Sequence, residues 1–138
     1  MASFHRLLIK AIKRPRTVWL CIWAFGQLWW VDRHLQTLAV TALKEPVLCT
    51  PQLLSQELHQ EIQRRVAVIA WTAHHHPCHP QCLHRSLVLY LWLRRQGVCA
   101  QLEVGWGNKI GHAWVSYAGQ VLNDSSDVTN LTPPLVKT

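Results

Sequence analysis

Five histidines and two cysteines fall within HHHPCHPQCLHRS, the stretch from His74 to Ser86. Such a stretch suits two chemistries: a metal held by imidazole and thiolate, or a thiolate used as a nucleophile. Structural zinc takes four ligands, commonly as two short-spaced pairs separated by a longer loop. Cys78 and Cys82 form one such pair, with His74, His75, His76 and His79 alongside, but downstream Cys99 and His112 stand singly. Without a second pair the sequence reads as having no native metal and no cofactor, and the loop as at most an adventitious nickel or zinc binder.

The nucleophile reading starts from Cys82. Pro80 suits the first helical position and His79 its cap, which puts Cys82 in the first turn. Unpaired backbone N–H groups and the positive end of the helix dipole favour an anionic sulfur there. A thiolate enzyme also needs an imidazole beside the sulfur. His84 points to another helical face, and the four loop histidines precede the helix, so the better candidate is the distant His112 in GHAW.

His112 lies in a predicted strand, followed by Tyr117-Ala118-Gly119, which suits a three-residue hairpin loop with glycine at the left-handed position. In that register Ser116 faces Gln120, Trp114 faces Leu122, and His112 faces Asp124. Opposed residues have Cβ atoms roughly 4.5–5.5 Å apart, so Asp124 would orient the imidazole and stabilise its cation. A two-residue loop at Ala118-Gly119 would instead pair His112 with Ser125 and would need Ala118 at positive φ. The first register is the expected one, with Asp127 as fallback acid. For the oxyanion the Cys82 backbone N–H is one donor, and Gln81 or His76 is a candidate second. Arg85 and Ser86, one turn along, are expected to hold the loop or cap neighbouring groups.

The elements that must position these groups are legible from periodicity. A helical block from about Phe4 to Thr41, broken near Lys13-Arg14-Pro15-Arg16, carries Trp19, Trp23, Trp30 and Val31, and Leu28, Leu35 and Leu38, at helical spacings. The stripe reads as core-facing, with a docking face as the alternative. Thr50-Pro51 opens a second helix with Leu54, Leu58, Ile62, Val66 and Ile69 buried, fading before Pro77. The third runs from Pro80 to Gly97, a left-handed C-terminal stop, with Arg94 and Arg95 at the negative end of its dipole. The period then changes to two at Ala100, Leu102, Val104 and Trp106, giving a strand. Gly107-Asn108-Lys109 is a turn, His112–Tyr117 and Val121–Asp124 are further strands, and the tail from Ser125 is irregular. This predicts one α+β domain over 1–138: a helical Trp-rich region, 1–48, and a core with a small antiparallel sheet, 49–138.

Composition narrows the classes. Apolar residues make up 49% of the 138 and charged ones 15%, so the chain is globular rather than disordered. A formal charge of +7, with Arg6, Lys10, Lys13, Arg14 and Arg16 all preceding the first acid at Asp32, could meet phosphate, anionic lipid or an acidic peptide. No nucleic-acid motif accompanies that charge. Five cysteines without a repeating framework favour free thiols in a reducing compartment. The apolar run Val18–Val31, interrupted by Gly26 and Gln27, is shorter than the ~20 residues a membrane span needs, and no cleavage site marks it as a signal peptide.

Read together, CLHRSLVLYLWLRRQGVCAQLEVGW and GHAWVSYAGQVLND resemble the transglutaminase-like leader peptidases of lasso-peptide biosynthesis. That family reads Cys-Leu-x-Arg-Ser-Leu on a helix, Gly-x-x-Ala-x-Leu-x-x-Gly, His-Ala-Trp-Val-Glu, and Asp. The match runs in order from Cys82 to Asp124, and the helical region before it has the length of the stand-alone form. The resemblance implies a transglutaminase-like (papain-like) cysteine protease fold with Cys82 as nucleophile, His112 as general base and acid, and Asp124 as its orienting partner. It implies a bacterial cytoplasmic enzyme that removes the leader of a ribosomally made precursor, commonly after Thr-x. Its implied partners are that precursor, a small leader-binding recognition protein and a lasso cyclase. Ser116 stands where the family has Glu, and Trp106 where it commonly has Val. Trp19, Trp23, Trp29 and Trp30, beside the basic start, are the expected leader- or partner-binding surface. The competing readings are an acyltransferase using the same triad and a noncatalytic Trp-rich peptide-binding adaptor.

Overall fold

Leu20, Ala24, Leu28 and Val31 recur at helical spacing and are buried, which commits one face of helix α1 (Pro15–Arg33) to the core. The computed structural model describes residues 14–45, 52–107 and 110–123. Pro15 occupies the start of α1, where its missing N–H costs no helical hydrogen bond. The expected core-facing stripe holds for Leu28 and Val31, and for Trp23, Leu35 and Leu38, which pack against the core, but is corrected at Trp19 and Trp30. Trp19, Trp23 and Trp30 do share a face, but it lies roughly a third of a turn from the core stripe. Trp19 is accordingly 62% exposed and Trp30 41%. Trp23 is half-buried against Arg65, whose guanidinium is 4.5 Å from the Trp23 ring and 4.4 Å from the Trp92 ring.

His34 closes α1, donating its backbone N–H to Trp30 and Val31 carbonyls, and α2 (Leu35–Lys44) follows at once. Helix α3 (Gln56–His75) opens later than Thr50-Pro51 suggested, because Ser55 Oγ accepts the Leu58 N–H at 3.2 Å and supplies the cap. Thr50 and Pro51 lie outside the described residues. Ile62, Val68, Ile69, Thr72 and Ala73 face inward.

Helix α4 (Cys82–Arg95) starts two residues after Pro80. His79 takes φ +49° and Gln81 is extended, so the chain turns helical only at Cys82, with Gln81 as the N-cap. Leu87, Val88, Leu89 and Leu93 are almost fully buried. Gly97, at φ +79°, ends the helix as expected, with Val98 N–H donating to Leu93 O at 3.0 Å.

Strands β1 (Gln101–Gly107), β2 (Ile110–Tyr117) and β3 (Gln120–Val121) form an antiparallel sheet in that order, with α4 packed against β2 and β1. Helices first and a small sheet after them make an α+β architecture. The hairpin register differs from expectation. Tyr117 pairs with Gln120 and Ser116 with Val121, so Ala118-Gly119 is a two-residue loop, with φ of +50° and +81°. Ala118 accepts the disfavoured left-handed conformation because the primed turn matches the strand twist. The ladder then stops. Leu122 N–H donates to Val115 O at 2.8 Å, and the Asn123 side chain, not a backbone carbonyl, accepts the Val115 N–H at 2.8 Å.

A polar clamp joins the N-terminal helices to α4. Glu45 accepts from Tyr90 Oη and Arg94 Nη2, each at 2.5 Å. Burial and the Glu45 carboxylate push the Tyr90 phenol far above its ordinary 10.0, and the Tyr90 hydrogen bond lowers Glu45. A phenol raised in the fold stabilises it fully below about pH 10 and loses that contribution as pH climbs towards the folded value. Denaturation midpoints measured across that range should fall more steeply for the native chain than for Tyr90→Phe. Parallel curves would show that Tyr90 ionisation does not couple to folding.

Cys21, Cys78 and Cys82 are free, whereas Cys99 is disulfide-bonded, which corrects the free-thiol expectation at that position. Among the described residues no helix is long and apolar enough to cross a membrane.

Candidate active site

The start of α4 and the middle of β2 meet at a cleft of about 240 Å³. Cys82, Arg85 and Leu89 line it from one helical face, His112 and Ala113 from the strand, Asn123 from the chain after β3, and Val66, Ile69 and Ala70 from α3. Cys82 is the first residue of α4 and is half-buried. His112 sits opposite Gly105 of β1, with its ring 6.2 Å from that of Trp114 two residues on. The two residues selected from the sequence as nucleophile and base therefore share one cleft, walled on the α3 side by aliphatic side chains.

A brace on the cleft floor holds helix and strand together. Ser86 is fully buried; its Oγ donates to Ala113 O at 3.0 Å and accepts from Asn123 Nδ2 at 3.0 Å. Asn123 Oδ1 accepts the Val115 N–H. Both atoms of one amide thus tie α4 to β2, one helical turn from Cys82 and one residue from His112. The sequence reading missed Asn123, although its place beside Asp124 in VLND was visible. Ser86 does hold neighbouring groups, as expected. Arg85 lines the cleft with its Nε sealed from solvent and without a hydrogen-bond partner.

The observed two-residue register removes the three-residue-loop pairing that set Asp124 opposite His112. Asp124, Asp127 and Ser125 lie outside the described residues.

The two candidate second oxyanion donors are placed elsewhere. His76 is 2% exposed, stacked 4.3 Å from the Phe25 ring, with Nε2 3.3 Å from Phe25 O and Nδ1 accepting the Cys78 N–H at 3.2 Å. Both ring nitrogens are engaged in pinning the loop to α1. The Gln81 side chain turns away to donate to His79 O at 3.4 Å. Neither residue lines the cleft. The first α4 N–H groups, Cys82's among them, remain the donors that a helix start offers.

The histidine-rich loop is dispersed. His75 Nδ1 lies 2.9 Å from Trp71 O, and the His74 ring meets His75 edge-on at 5.1 Å. Among the described residues no three His, Cys, Asp or Glu side chains are grouped to hold a metal ion.

A second concavity, of about 270 Å³, lies between α1 and α3, lined by Cys21, Ile22, Phe25, Trp71, Thr72 and His75. Trp19, Trp29 and Trp30 add exposed aromatic surface along α1, and Arg33 stacks 5.4 Å from the Trp29 ring.

A family model described as the transglutaminase-like superfamily matches residues 23–136. No curated protein and no solved structure gives a match. The matched span contains Cys82, His112, Asn123 and Asp124.

Proposed function

The chain belongs to the transglutaminase-like superfamily, which includes cysteine proteases and acyltransferases, and from that premise we propose that it is a cysteine peptidase removing the leader from a lasso-peptide precursor. The observation that carries the reading is the shared cleft of Cys82 and His112. The ordered motif resemblance from Cys82 to Asp124 supplies the substrate class.

In this mechanism the Cys82 sulfur attacks the carbonyl at the leader–core junction, and the tetrahedral oxyanion is held by the α4 N-terminal N–H groups. The C–N bond breaks as protonated His112 gives its proton to the departing amine of the core peptide. Neutral His112 then takes a proton from water, which attacks the thioester. The leader leaves with a new carboxylate and Cys82 is regenerated. Asp124, on the resemblance, orients His112 and balances its positive charge.

The exposed aromatic face of α1 is the proposed seat of the leader or of the small recognition protein that presents it. The precursor, that protein and the cyclase are the proposed partners. The proposed compartment, on the resemblance, is the bacterial cytoplasm; the free Cys21, Cys78 and Cys82 fit it, and the bonded Cys99 counts against it.

The test is incubation with a lasso-type precursor and its recognition protein, followed by mass spectrometry. Peptidase action yields a leader ending in a free carboxylate and an intact core. A leader joined to an added amine instead would assign acyl transfer. Binding with no covalent change in either peptide would leave an adaptor.

A further inference from the structure

Two residues beyond Cys82 lies a histidine that neither the cleft nor the triad uses. His84 is 7% exposed, and its two ring nitrogens face opposite partners. Nε2 is 2.9 Å from Asp32 Oδ1 of α1. Nδ1 is 3.1 Å from the Gln81 backbone nitrogen. A carboxylate only accepts and a backbone N–H only donates, so both contacts are satisfied by a single form, the neutral imidazole with its proton on Nε2. The geometry is that of a capping box, in which the third helical residue reaches back to the N-cap N–H; Glu or Gln ordinarily plays this part.

We propose that Asp32 and His84 act as a positioning pair for the reaction of Cys82, fixing the N-cap residue from which the nucleophile's turn begins. Gln81 sits at φ −88° and ψ 178°, and that ψ sets the direction of the Cys82 N–H and the start of the Cys82 side chain. The Gln81 N–H donates to His84 Nδ1, and His84 is held by an acid on a different helix, 52 residues earlier. The link therefore anchors the catalytic turn to α1, whose remaining face carries Phe25, Trp29 and Trp30. Neither Asp32 nor His84 lines the cleft. They act through Gln81 and Cys82, and near-attack geometry is sensitive to shifts of about 1 Å at such a turn.

This inference rests on the peptidase reading, and its test separates the two. His84→Leu removes both contacts, Asp32→Ala removes one, and His84→Gln keeps an acceptor for the Gln81 N–H and a donor for Asp32. Each full-length variant is first shown by circular dichroism to be folded. Leader-cleavage kcat and KM are then measured on the precursor with its recognition protein, and deuterium uptake is read on the peptide covering residues 79–85. His84→Leu should lower kcat about tenfold or more with KM within about twofold, and should speed exchange at Gln81. Asp32→Ala should fall between, and His84→Gln should recover most of kcat. Unchanged kcat in folded His84→Leu, or no recovery with Gln, would overturn the inference, whether or not exchange quickens. Cleavage that persists in Cys82→Ala would instead overturn the peptidase reading, leaving the exchange result to report on the cap alone.

Discussion

Cys82→Ala protein should bind the precursor as tightly as the native chain and cleave none of it. Alanine removes the sulfur alone. The side chain is half-buried at the first helical position, where alanine is a good helix former, so the fold should survive. The rate loss should be on the order of 10⁴-fold or greater, as for other enzymes stripped of their nucleophile. Cys82→Ser should restore little, because a hydroxyl is a far weaker nucleophile than a thiolate without retuning of its base. His112→Gln should cost nearly as much and add almost nothing to the cysteine loss, since residues that act as a unit are non-additive. Product formation by mass spectrometry and precursor binding by fluorescence anisotropy check all three. Residual cleavage by Cys82→Ala above a tenth of the native rate would exclude Cys82 as the nucleophile.

The same experiment weighs the two faces of the molecule against each other. Exposed Trp19, Trp29 and Trp30 belong to α1, whereas the cleft lies between α3, α4 and β2. A peptide held on α1 and cut at Cys82 must reach from one to the other. Binding retained in Cys82→Ala would fit such a division, with affinity set away from the reacting bond.

What the sequence made legible follows the physics of each signal. Gly97 could be read as a helix stop because only a residue free of Cβ takes φ +79° without strain, and the residues after it alternate with period two. Cys82 and His112 could be paired because the helix start and the strand each had a local signature. The α1 stripe could not be chosen by residue size. Tryptophan dominates the count, yet Leu20, Ala24, Leu28 and Val31 take the core, since close approach to α3 and α4 favours smaller side chains. The hairpin failed for a similar reason. Local preference disfavours Ala118 at positive φ, but Asn123 completes hydrogen bonds to Val115 and Ser86 that a local argument does not contain. The Asp32–His84 contact spans 52 residues and leaves no mark in spacing at all.

Asn123→Ala should therefore cost both stability and turnover, although Asn123 is not a triad position. Removing the amide strips the acceptor from the Val115 N–H, in a residue with no exposed surface, and the donor from Ser86 Oγ, which is equally buried. The Val115 N–H left unpaired costs about 1–3 kcal/mol, and Ser86 Oγ, which still donates to Ala113 O, loses only the bond it accepts, worth about 1 kcal/mol, less whatever water entering the cleft recovers. The expected fall in melting temperature is roughly 5–15 °C, for about 2–4 kcal/mol in a domain of this size. Turnover should fall as well, because the brace fixes the strand that carries His112 against the helix that carries Cys82. Ser86→Ala should be milder. It removes a single hydroxyl and leaves Val115 satisfied by Asn123. Asn123→Asp separates the two contributions. A carboxylate keeps an acceptor for Val115 but loses the donor to Ser86, so stability should be partly regained while a negative charge now faces the cleft. Chemical denaturation gives the stabilities, and leader cleavage under saturating precursor gives the rates. If Asn123→Ala matched the native chain in both, the amide would not be what holds the two catalytic elements together, and the helix–strand packing around Leu87, Leu89 and Val115 would have to hold them unaided.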